Sequence, residues 1–187
     1  MTSEMSHHNR RNKGRDLSGF YSTPAWVTEA LLKYEKFQGI IREPSCGDGA
    51  ISKVLEATGY QVKSTDLFDR GYGEAGIDYL TDNRTDDNVI MNPPYELLDH
   101  FIYHALQRTR RKVAVIVRLG FLGGQERFEK LWSVEPPARI LLFCKRPTMA
   151  KPKIRNGRPH LPKAVDYCWV IWDHRYNGLT AFNWTIG

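Results

Sequence analysis

The chain has 187 residues, of which 41% are apolar and 12% aromatic, a composition typical of one globular domain and unlike that of a disordered chain or of two full domains. Its formal net charge of +6 favours a polyanionic partner such as nucleic acid. The three cysteines are unevenly spaced, and the sequence has no signal-peptide pattern and no apolar run of about 20 residues. We therefore expect a cytoplasmic protein without a disulfide framework, a zinc site or a membrane span.

The predicted elements alternate along the chain. Residues 1–18 are basic and polar and predict a flexible arm, followed by a single domain at 19–187. A helix is predicted with Thr23 as its N-cap, Pro24 at its first position and an end near Gly39. The later segments are, in order, GIIREPSCGDGAI (strand and glycine turn), AISKVLEATGY (helix), QVKSTDLF (strand), IDYL (short strand), NVIMN (strand), ELLDHFIYHALQR (helix), KVAVIVRLGFL (strand), QERFEKLW (helix), and the strands RILLFC, AVDYCWVIWD and LTAFNW. This alternation predicts an α/β fold with a mostly parallel sheet and helices on both faces.

Residues 145–163 form a long loop between two predicted strands. The loop contains four prolines and no acidic residue. Its basic residues are Lys145, Arg146, Lys151, Lys153, Arg155, Arg158 and Lys163. Because like charges repel until an anion binds, this composition favours phosphate binding over a merely disordered loop.

The glycine turn that follows the first strand is a candidate ligand site. Gly47 and Gly49 allow a ligand to approach the backbone closely, although an ordinary strand-to-helix connection has the same pattern. Asp66 lies about twenty residues further on, at the end of the next strand, where a carboxylate can bind the two hydroxyls of a ribose. The two strand ends together therefore predict a nucleoside site.

An acidic residue at the end of the first strand indicates which nucleoside. The GxGxxG pattern of dinucleotide sites is absent, and Glu43 would repel a pyrophosphate but attract a ligand that carries an ammonium and a sulfonium group. This points to S-adenosylmethionine. Asp78 could accept a hydrogen bond from the adenine amino group of that cofactor, or could be a solvated loop acid.

The segment Asn92-Pro93-Pro94-Tyr95 ends the predicted fourth strand. In a doubly wound sheet this strand lies beside the first, so Asn92 is expected to face the methyl donor. The Asn92 amide oxygen and the Pro93 carbonyl can hold both hydrogens of a planar amine, while Tyr95 offers a face for a stacked base. Alone, this segment could be a strand-terminating turn; together with the nucleoside site it predicts methyl transfer to an amine.

These motifs resemble those of the S-adenosylmethionine-dependent amino-group methyltransferases, most closely the adenine-specific DNA methyltransferases with an NPPY motif. The resemblance covers residues 19–98, in the gamma-type order GFYSTPAWVTEALL, EPSCGDG, TDLFD, DYL and NPPY. It implies a Rossmann-like class I methyltransferase fold with a seven-stranded sheet whose last strand, AVDYCWVIWD, is antiparallel. It also implies catalytic roles for Asn92, Pro93, Pro94 and Tyr95, and cofactor binding by Tyr21, Thr23, Pro24, Glu43, Ser45, Cys46, Gly47, Asp66, Leu67 and Asp78.

We expect no separate target-recognition domain of the kind that gamma-type enzymes carry, and in this the chain looks similar to small phage and prophage methyltransferases. Nucleic-acid binding would then fall to the arm 1–18, to the loop residues Lys151, Lys153, Arg155, Arg158 and Lys163, and to the cluster Arg108, Arg110, Arg111 and Lys112. DNA is favoured over RNA through the resemblance alone. A DNA enzyme would have to flip its target base, and Phe121 could pack on that base or belong to the core.

Three alternatives remain open from the sequence. The substrate could be an amino group in RNA or a protein glutamine, or the chain could be a non-catalytic nucleic-acid-binding module. His100 and His104 have a spacing that can bind zinc, but without a third ligand we expect an ordinary helix surface and no metal. The sequence leaves the oligomeric state open, with a monomer favoured.

Overall fold

The computed structural model describes residues 21–149, 153–155, 158–160 and 165–187. The predictions for the arm 1–18 and for the side chains of Lys151, Lys153, Arg155, Arg158 and Lys163 lie outside the described residues. The helices are α1 (Ala25–Tyr34), α2 (Ala50–Ala57), α3 (Leu98–Arg108) and the short α4 (Gln125–Arg127), which continues into a π-helical turn (Phe128–Trp132). The strands are β1 (Ile41–Glu43), β2 (Val62–Ser64), β3 (Asp86–Met91), β4 (Thr109–Arg118), β5 (Arg139–Phe143), β6 (Lys153–Arg155), β7 (Arg158–His160), β8 (Tyr167–Asp173) and β9 (Ala181–Thr185).

Seven of these strands form one sheet in the order β2-β1-β3-β4-β8-β5-β9, and β6 pairs with β7 in a separate hairpin. Strand β8 is antiparallel to both of its neighbours, while the other four pairings in this sheet are parallel. The predicted α/β sheet is therefore confirmed, as are the antiparallel AVDYCWVIWD strand and the position of β3 beside β1. β8 is not the last strand, however, because β9 follows it and pairs in parallel with β5 at the sheet edge.

Successive side chains of the central strands point to opposite faces of the sheet, and each face packs into its own hydrophobic core. Ile90, Ala114 and Ile116 point to the face covered by α1 and α2, where Leu31 and Leu55 pack against them. On the other face the intervening residues of β3 and β4 pack with α3 and the π-helical turn; they are Val89, Met91, Val113, Val115 and Val117. This period of two is what a sheet buried on both faces requires, and it confirms helices on both faces.

The predicted third strand is wrong. Ile77 to Leu80 do not pair with the sheet; Asp78 instead caps a 3₁₀ helix over Tyr79–Thr81, with its Oδ1 accepting from the Leu80 N–H at 3.0 Å. The preceding segment contains Gly71, Gly73 and Gly76, all with positive φ, so its backbone turns repeatedly and cannot extend into a strand. This 3₁₀ helix places Tyr79 in the core beside α3.

The N-terminus of α1 also differs from the prediction. Pro24 is the N-cap and makes no side-chain cap, and the helix ends at Tyr34 rather than near Gly39. The Thr23 hydroxyl accepts a hydrogen bond from Asn92 instead of capping the helix. No helix within the described ranges is long and apolar enough to cross a bilayer.

Candidate active site

The carboxyl ends of β1, β2, β3 and β4 meet at one edge of the sheet. The glycine turn follows β1, Asp66 follows β2, and Asn92 follows β3. Ligands of open α/β sheets bind at this edge, where the strand order reverses. The glycine turn and NPPY, although far apart in the sequence, therefore lie side by side because β1 and β3 are neighbours.

The segment before α1 links these motifs by hydrogen bonds. The Asn92 Nδ2 group donates to the Tyr21 carbonyl at 3.2 Å and to Thr23 Oγ1 at 3.0 Å. Ser22 Oγ donates to Asp48 Oδ1 at 3.2 Å, and Ser45 Oγ donates to the Asn92 carbonyl at 3.4 Å. The N-terminal segment thus bridges the glycine turn and NPPY across the mouth of the site.

These contacts fix the direction of the Asn92 amide. A backbone carbonyl can only accept, so the side of the amide that faces the Tyr21 carbonyl must be the NH₂ group. The oxygen Oδ1 is then on the opposite side, and within the described ranges no residue donates to it. Asn92 is partly exposed, so this oxygen is an acceptor available to a ligand.

Asp66 is buried and holds the end of β2 against the glycine turn. Its Oδ2 accepts from the Gly47 N–H at 2.9 Å and its Oδ1 accepts from the Phe68 N–H at 2.9 Å. Oδ2 retains a second lone pair for a ligand hydroxyl, while Oδ1 also lies 3.9 Å from the Nε of Arg70. The next two residues, Leu67 and Phe68, are 51% and 47% exposed and form an apolar surface beside the Asp66 carboxylate. Such a surface suits the base of a nucleoside, and the carboxylate suits its ribose.

Glu43 differs from the expected role. It is 2% exposed, and its Oε2 accepts from both the N–H and the hydroxyl of Ser52 in the first turn of α2. Burial raises the pKa of Glu43 from its ordinary 4.5 to about 8. At pH 7 the group is therefore mainly protonated, so the predicted attraction between a negative charge on Glu43 and a cationic ligand has to be corrected. The role of Glu43 is to accept hydrogen bonds from the first turn of α2, where backbone N–H groups have no partner within the helix.

The rest of the glycine turn is closely packed. The Cys46 N–H donates to the Thr65 carbonyl at 3.0 Å, and burial raises the pKa of the Cys46 thiol to about 12, so this thiol acts as a packing group at neutral pH. A Cβ on Gly49 would lie 2.4 Å from the Tyr72 ring. The space beside Gly49 that was predicted for a ligand is therefore filled by Tyr72, while Asp78 is exposed on the 3₁₀ helix described above.

Tyr95 lies among three side chains at the carboxyl end of the sheet. Its hydroxyl donates to the Tyr167 hydroxyl at 3.2 Å, and its ring centroid is 5.9 Å from that of Tyr21. The Arg118 guanidinium carbon lies 4.3 Å from the centre of the Tyr95 ring. Burial, followed by the bond to Tyr167, raises the pKa of Tyr95, so its phenol stays neutral and serves as an aromatic surface.

The cluster Arg108, Arg110, Arg111 and Lys112, which was predicted to contribute to substrate binding, lies away from the site. Arg108 ends α3 and the other three lie at the amino end of β4, so that Arg110 is roughly 26 Å from Arg118 at 3.3 Å for each strand residue. Each is held by a neighbour in the fold, as in the pairs Arg110–Asp87 and Lys112–Glu35, at 3.5 Å and 2.5 Å. The cluster stabilises the opposite edge of the sheet.

Two further candidates have structural positions. Phe121 is 8% exposed and packs in an edge-to-face contact with Trp132, which confirms its interpretation as a core residue. His104 contacts the Asp82 carbonyl at 3.0 Å and packs edge-to-face with the Tyr79 ring. Within the described part of the chain no group of three or more His, Cys, Asp or Glu side chains is arranged to hold a metal ion.

Phe68, Tyr72 and Arg118 also lie around the site but are not among the residues that the sequence predicts. Phe68 could have been found, since it directly follows Leu67 in a motif already singled out. Arg118 also left a signal, because it is the first charged residue after the apolar part of β4 and must lie at the same edge as NPPY. Nothing in the sequence indicates the contact between Tyr72 and Gly49, which depends on the path of an irregular segment.

No family model and no curated protein matches the chain. Solved structures do match it. The fold is that of the class I methyltransferases. The chain is similar to a modification subunit of a proposed type I restriction enzyme from Vibrio vulnificus YJ016, with a TM-score of 0.53, 13% identity, and coverage of 90% of this chain and 48% of that one. The chain is also similar to a proposed RNA methyltransferase from Pyrococcus horikoshii, with a TM-score of 0.57, 17% identity, and coverage of 80% of this chain and 81% of that one.

The 23S rRNA methyltransferase ErmE is also similar, with a TM-score of 0.53, 13% identity, and coverage of 85% of this chain and 72% of that one. This chain spans about half the length of the Vibrio modification subunit, 48%. At such identities the likeness establishes the Rossmann-like methyltransferase fold, and the choice of substrate has to be argued from this chain's own residues.

Proposed function

We propose that this protein transfers a methyl group from S-adenosylmethionine to the exocyclic amino group of adenine in DNA. The observation that supports this most directly is the anchored Asn92 amide. Because Tyr21 and Thr23 hold its NH₂ group, Oδ1 is directed away from them as an acceptor to which none of the described residues donates. An acceptor in this position suits a substrate that donates hydrogens, as a nucleobase amine does.

The residues around the strand ends fit the cofactor. Leu67 and Phe68 offer an apolar surface beside the Asp66 carboxylate, and Asp78 is exposed nearby in the chain, which suits a nucleoside with an amino-bearing base. The methionine part would lie against the backbone of Ser45, Cys46 and Gly47 and against Tyr21, Thr23 and Pro24. S-adenosylmethionine supplies an electrophilic methyl group whose carbon–sulfur bond breaks as the nitrogen–carbon bond forms.

The protein's contribution to the reaction is to orient the amine. Asn92 Oδ1 and the Pro93 carbonyl would each accept one hydrogen of the substrate NH₂ group. Two acceptors favour the geometry in which the nitrogen lone pair leaves conjugation with the ring, and Pro94 keeps the second acceptor rigid. The methylated nitrogen then loses its surplus proton to water, so the site needs no strong general base.

The position of the basic loop supports a nucleic-acid substrate. Strand β5 ends and β8 begins at the same edge as NPPY, because β5 is parallel to β4 and β8 is antiparallel to both. The loop 145–163, which contains the β6–β7 hairpin, therefore leaves and re-enters the sheet at this edge. We propose that its side chains Lys151, Lys153, Arg155, Arg158 and Lys163 bind phosphates.

Labelled methyl transfer tests the proposal. The protein is incubated with methyl-labelled S-adenosylmethionine and, separately, with unmethylated DNA, with RNA and with a protein extract; the labelled polymer is then hydrolysed and the product identified. We expect N6-methyladenine in DNA, and labelling that is about 10²–10³-fold slower with Asn92→Ala. RNA is the second candidate, since ErmE and the Pyrococcus horikoshii protein share the fold. Label in RNA alone would replace DNA as the substrate, and DNA binding without any transfer would indicate a non-catalytic module.

A further inference from the structure

Arg118 is placed at the centre of the candidate site by two strand pairings. In the parallel pairing of β3 with β4, Met91 lies opposite Val115 at the last paired position, and β4 continues beyond it to Arg118 at the edge where the NPPY segment follows β3. In the antiparallel pairing of β4 with β8, Arg118 lies opposite Tyr167. The arginine therefore projects from the strand end between Tyr95 and Tyr167, the two tyrosines whose hydroxyls bond to each other.

Arg118 has no acidic partner in the described ranges, although an acid lies close to it in the fold. Asp166 precedes the strand partner of Arg118, and its carbonyl accepts from the Leu119 N–H at 2.8 Å. The Asp166 carboxylate pairs instead with Arg146 at 2.6 Å. The exposed Arg118 guanidinium rests on the ring of Tyr95, 4.3 Å from its centre. An unpaired cation at a site that is proposed to bind nucleic acid has a charge available for an anion.

The guanidinium also occupies a surface that the substrate would use. A base stacked on Tyr95 needs about 3.5 Å, and a base held between the ring and a second planar group needs about 7 Å between them. At 4.3 Å the Arg118 guanidinium leaves no such gap. The guanidinium also hydrogen-bonds with the hydroxyls of Tyr167 and Tyr95. Since a guanidinium has five N–H donors, others stay available for the oxygens of a phosphate.

We propose that Arg118 covers the stacking face of Tyr95 until substrate binds, and then moves to a backbone phosphate of the nucleotide being methylated. This inference rests on the proposed function. The long arginine side chain can swing from the ring to a phosphate without any change in β4, since only its own torsions are involved. Arg118 would thus couple entry of the base to recognition of the sugar-phosphate backbone. A free nucleobase would also have to displace Arg118 from the Tyr95 ring, but it has no phosphate to which Arg118 could then bind.

The first experiment measures the salt dependence of binding to a single-stranded DNA oligonucleotide. Arg118→Ala is expected to weaken binding about fivefold to tenfold and to lower the slope of log K against log salt by about 0.7, the value for one lost phosphate contact. Arg118→Lys should restore the slope, because its charge can also neutralise a phosphate. The matched control is Arg110→Ala, an exposed arginine at the other end of the same strand, which should leave the slope unchanged.

The second experiment measures binding of adenosine, which has no phosphate, after the cofactor pocket has been saturated with S-adenosylhomocysteine. Arg118→Ala should bind adenosine about threefold more tightly, because the cation no longer competes for the Tyr95 ring. In methylation of the oligonucleotide, the same variant should raise KM about fivefold to tenfold and leave kcat within twofold.

The opposite changes for DNA and adenosine distinguish this role from a structural one, which would weaken both. An unchanged salt slope in Arg118→Ala would overturn the phosphate contact, and unchanged adenosine affinity would overturn the covering of Tyr95. Failure of the proposed function has a different result: the wild-type protein itself would then transfer no methyl group to DNA.

Discussion

Glu43→Gln should make the stability of this protein less dependent on pH. The Glu43 carboxyl is 2% exposed, and its Oε2 accepts two hydrogen bonds from Ser52. A glutamine has nearly the same shape and keeps an oxygen that can accept both bonds. It cannot ionise, so the substitution removes the charge and leaves the packing and the capping of α2 in place.

The sign of the effect follows from proton binding. In the folded protein, burial raises the pKa of Glu43 from 4.5 to about 8, so the folded state keeps this proton over a pH range in which the unfolded state has lost it. The stability that the proton provides is fully present below pH 4.5 and is lost as pH rises towards 8. Each factor of ten in proton affinity corresponds to about 1.4 kcal/mol, so the total change is on the order of 3–5 kcal/mol.

Chemical denaturation at pH 5, 6, 7, 8 and 9 measures this directly. Relative to the wild type, Glu43→Gln should gain roughly 3–5 kcal/mol of unfolding free energy between pH 5 and pH 8, and little beyond. Glu29→Gln on the exposed side of α1 controls for the exchange of a carboxylate for an amide. A wild-type minus variant difference that stays constant from pH 5 to pH 9 would refute the reasoning, because it would mean that Glu43 ionises as readily in the fold as outside it.

Three further predictions concern the site and its support. Asn92→Ala should lower kcat about 10²–10³-fold, as does the loss of one oxyanion donor, and leave cofactor affinity unchanged. Single-turnover kinetics measure the rate and calorimetric titration measures the affinity; near-normal turnover would contradict the role of Asn92. Gly49→Ala should lower the unfolding free energy by about 1–3 kcal/mol more than Gly59→Ala, as measured by chemical denaturation. Both glycines have positive φ, but only at Gly49 would the added Cβ meet the Tyr72 ring. Equal losses of unfolding free energy in the two variants would contradict this contact. Glu35→Gln should lower the unfolding free energy by about 1–3 kcal/mol in chemical denaturation, because buried Glu35 pairs with Lys112 and Arg139 at 2.5 and 2.8 Å. A loss no larger than that of Glu29→Gln would mean that those pairs provide no net stabilisation.

The alternation of strands and helices could be predicted because each element has a strong local signal. The β-branched run of β4 and the apolar β8 indicate buried strands, and the neighbouring helical patterns require crossovers and hence a mostly parallel sheet. The same rules put β3 beside β1, which is sufficient to bring Asn92 to the glycine turn. Local pattern and topology rules were sufficient for these features.

Elements without a local signal were predicted poorly. The segment Ile77–Leu80 has the apolar content of a short strand, but Tyr79 is drawn into the core, where the buried Arg42 guanidinium lies 5.1 Å from its ring. Arg42 also pairs with Asp82 at 2.5 Å, which fixes the chain after the 3₁₀ helix. Contacts between residues about 40 positions apart thus decide the conformation, and single-sequence patterns carry no information about such pairs.

Thr23 shows how a local rule can point to the right residue for the wrong reason. A threonine followed by proline at the start of an apolar helical pattern predicts an N-cap. Its hydroxyl instead accepts from Asn92 Nδ2, 69 positions away, and Pro24 takes the N-cap position without a side-chain bond. Because α1 already packs its apolar face on the sheet, it can form without the modest contribution of a cap. The threonine is thereby free to orient the amide on which the proposed chemistry depends, so its removal should affect the direction of Asn92 more than the stability of α1.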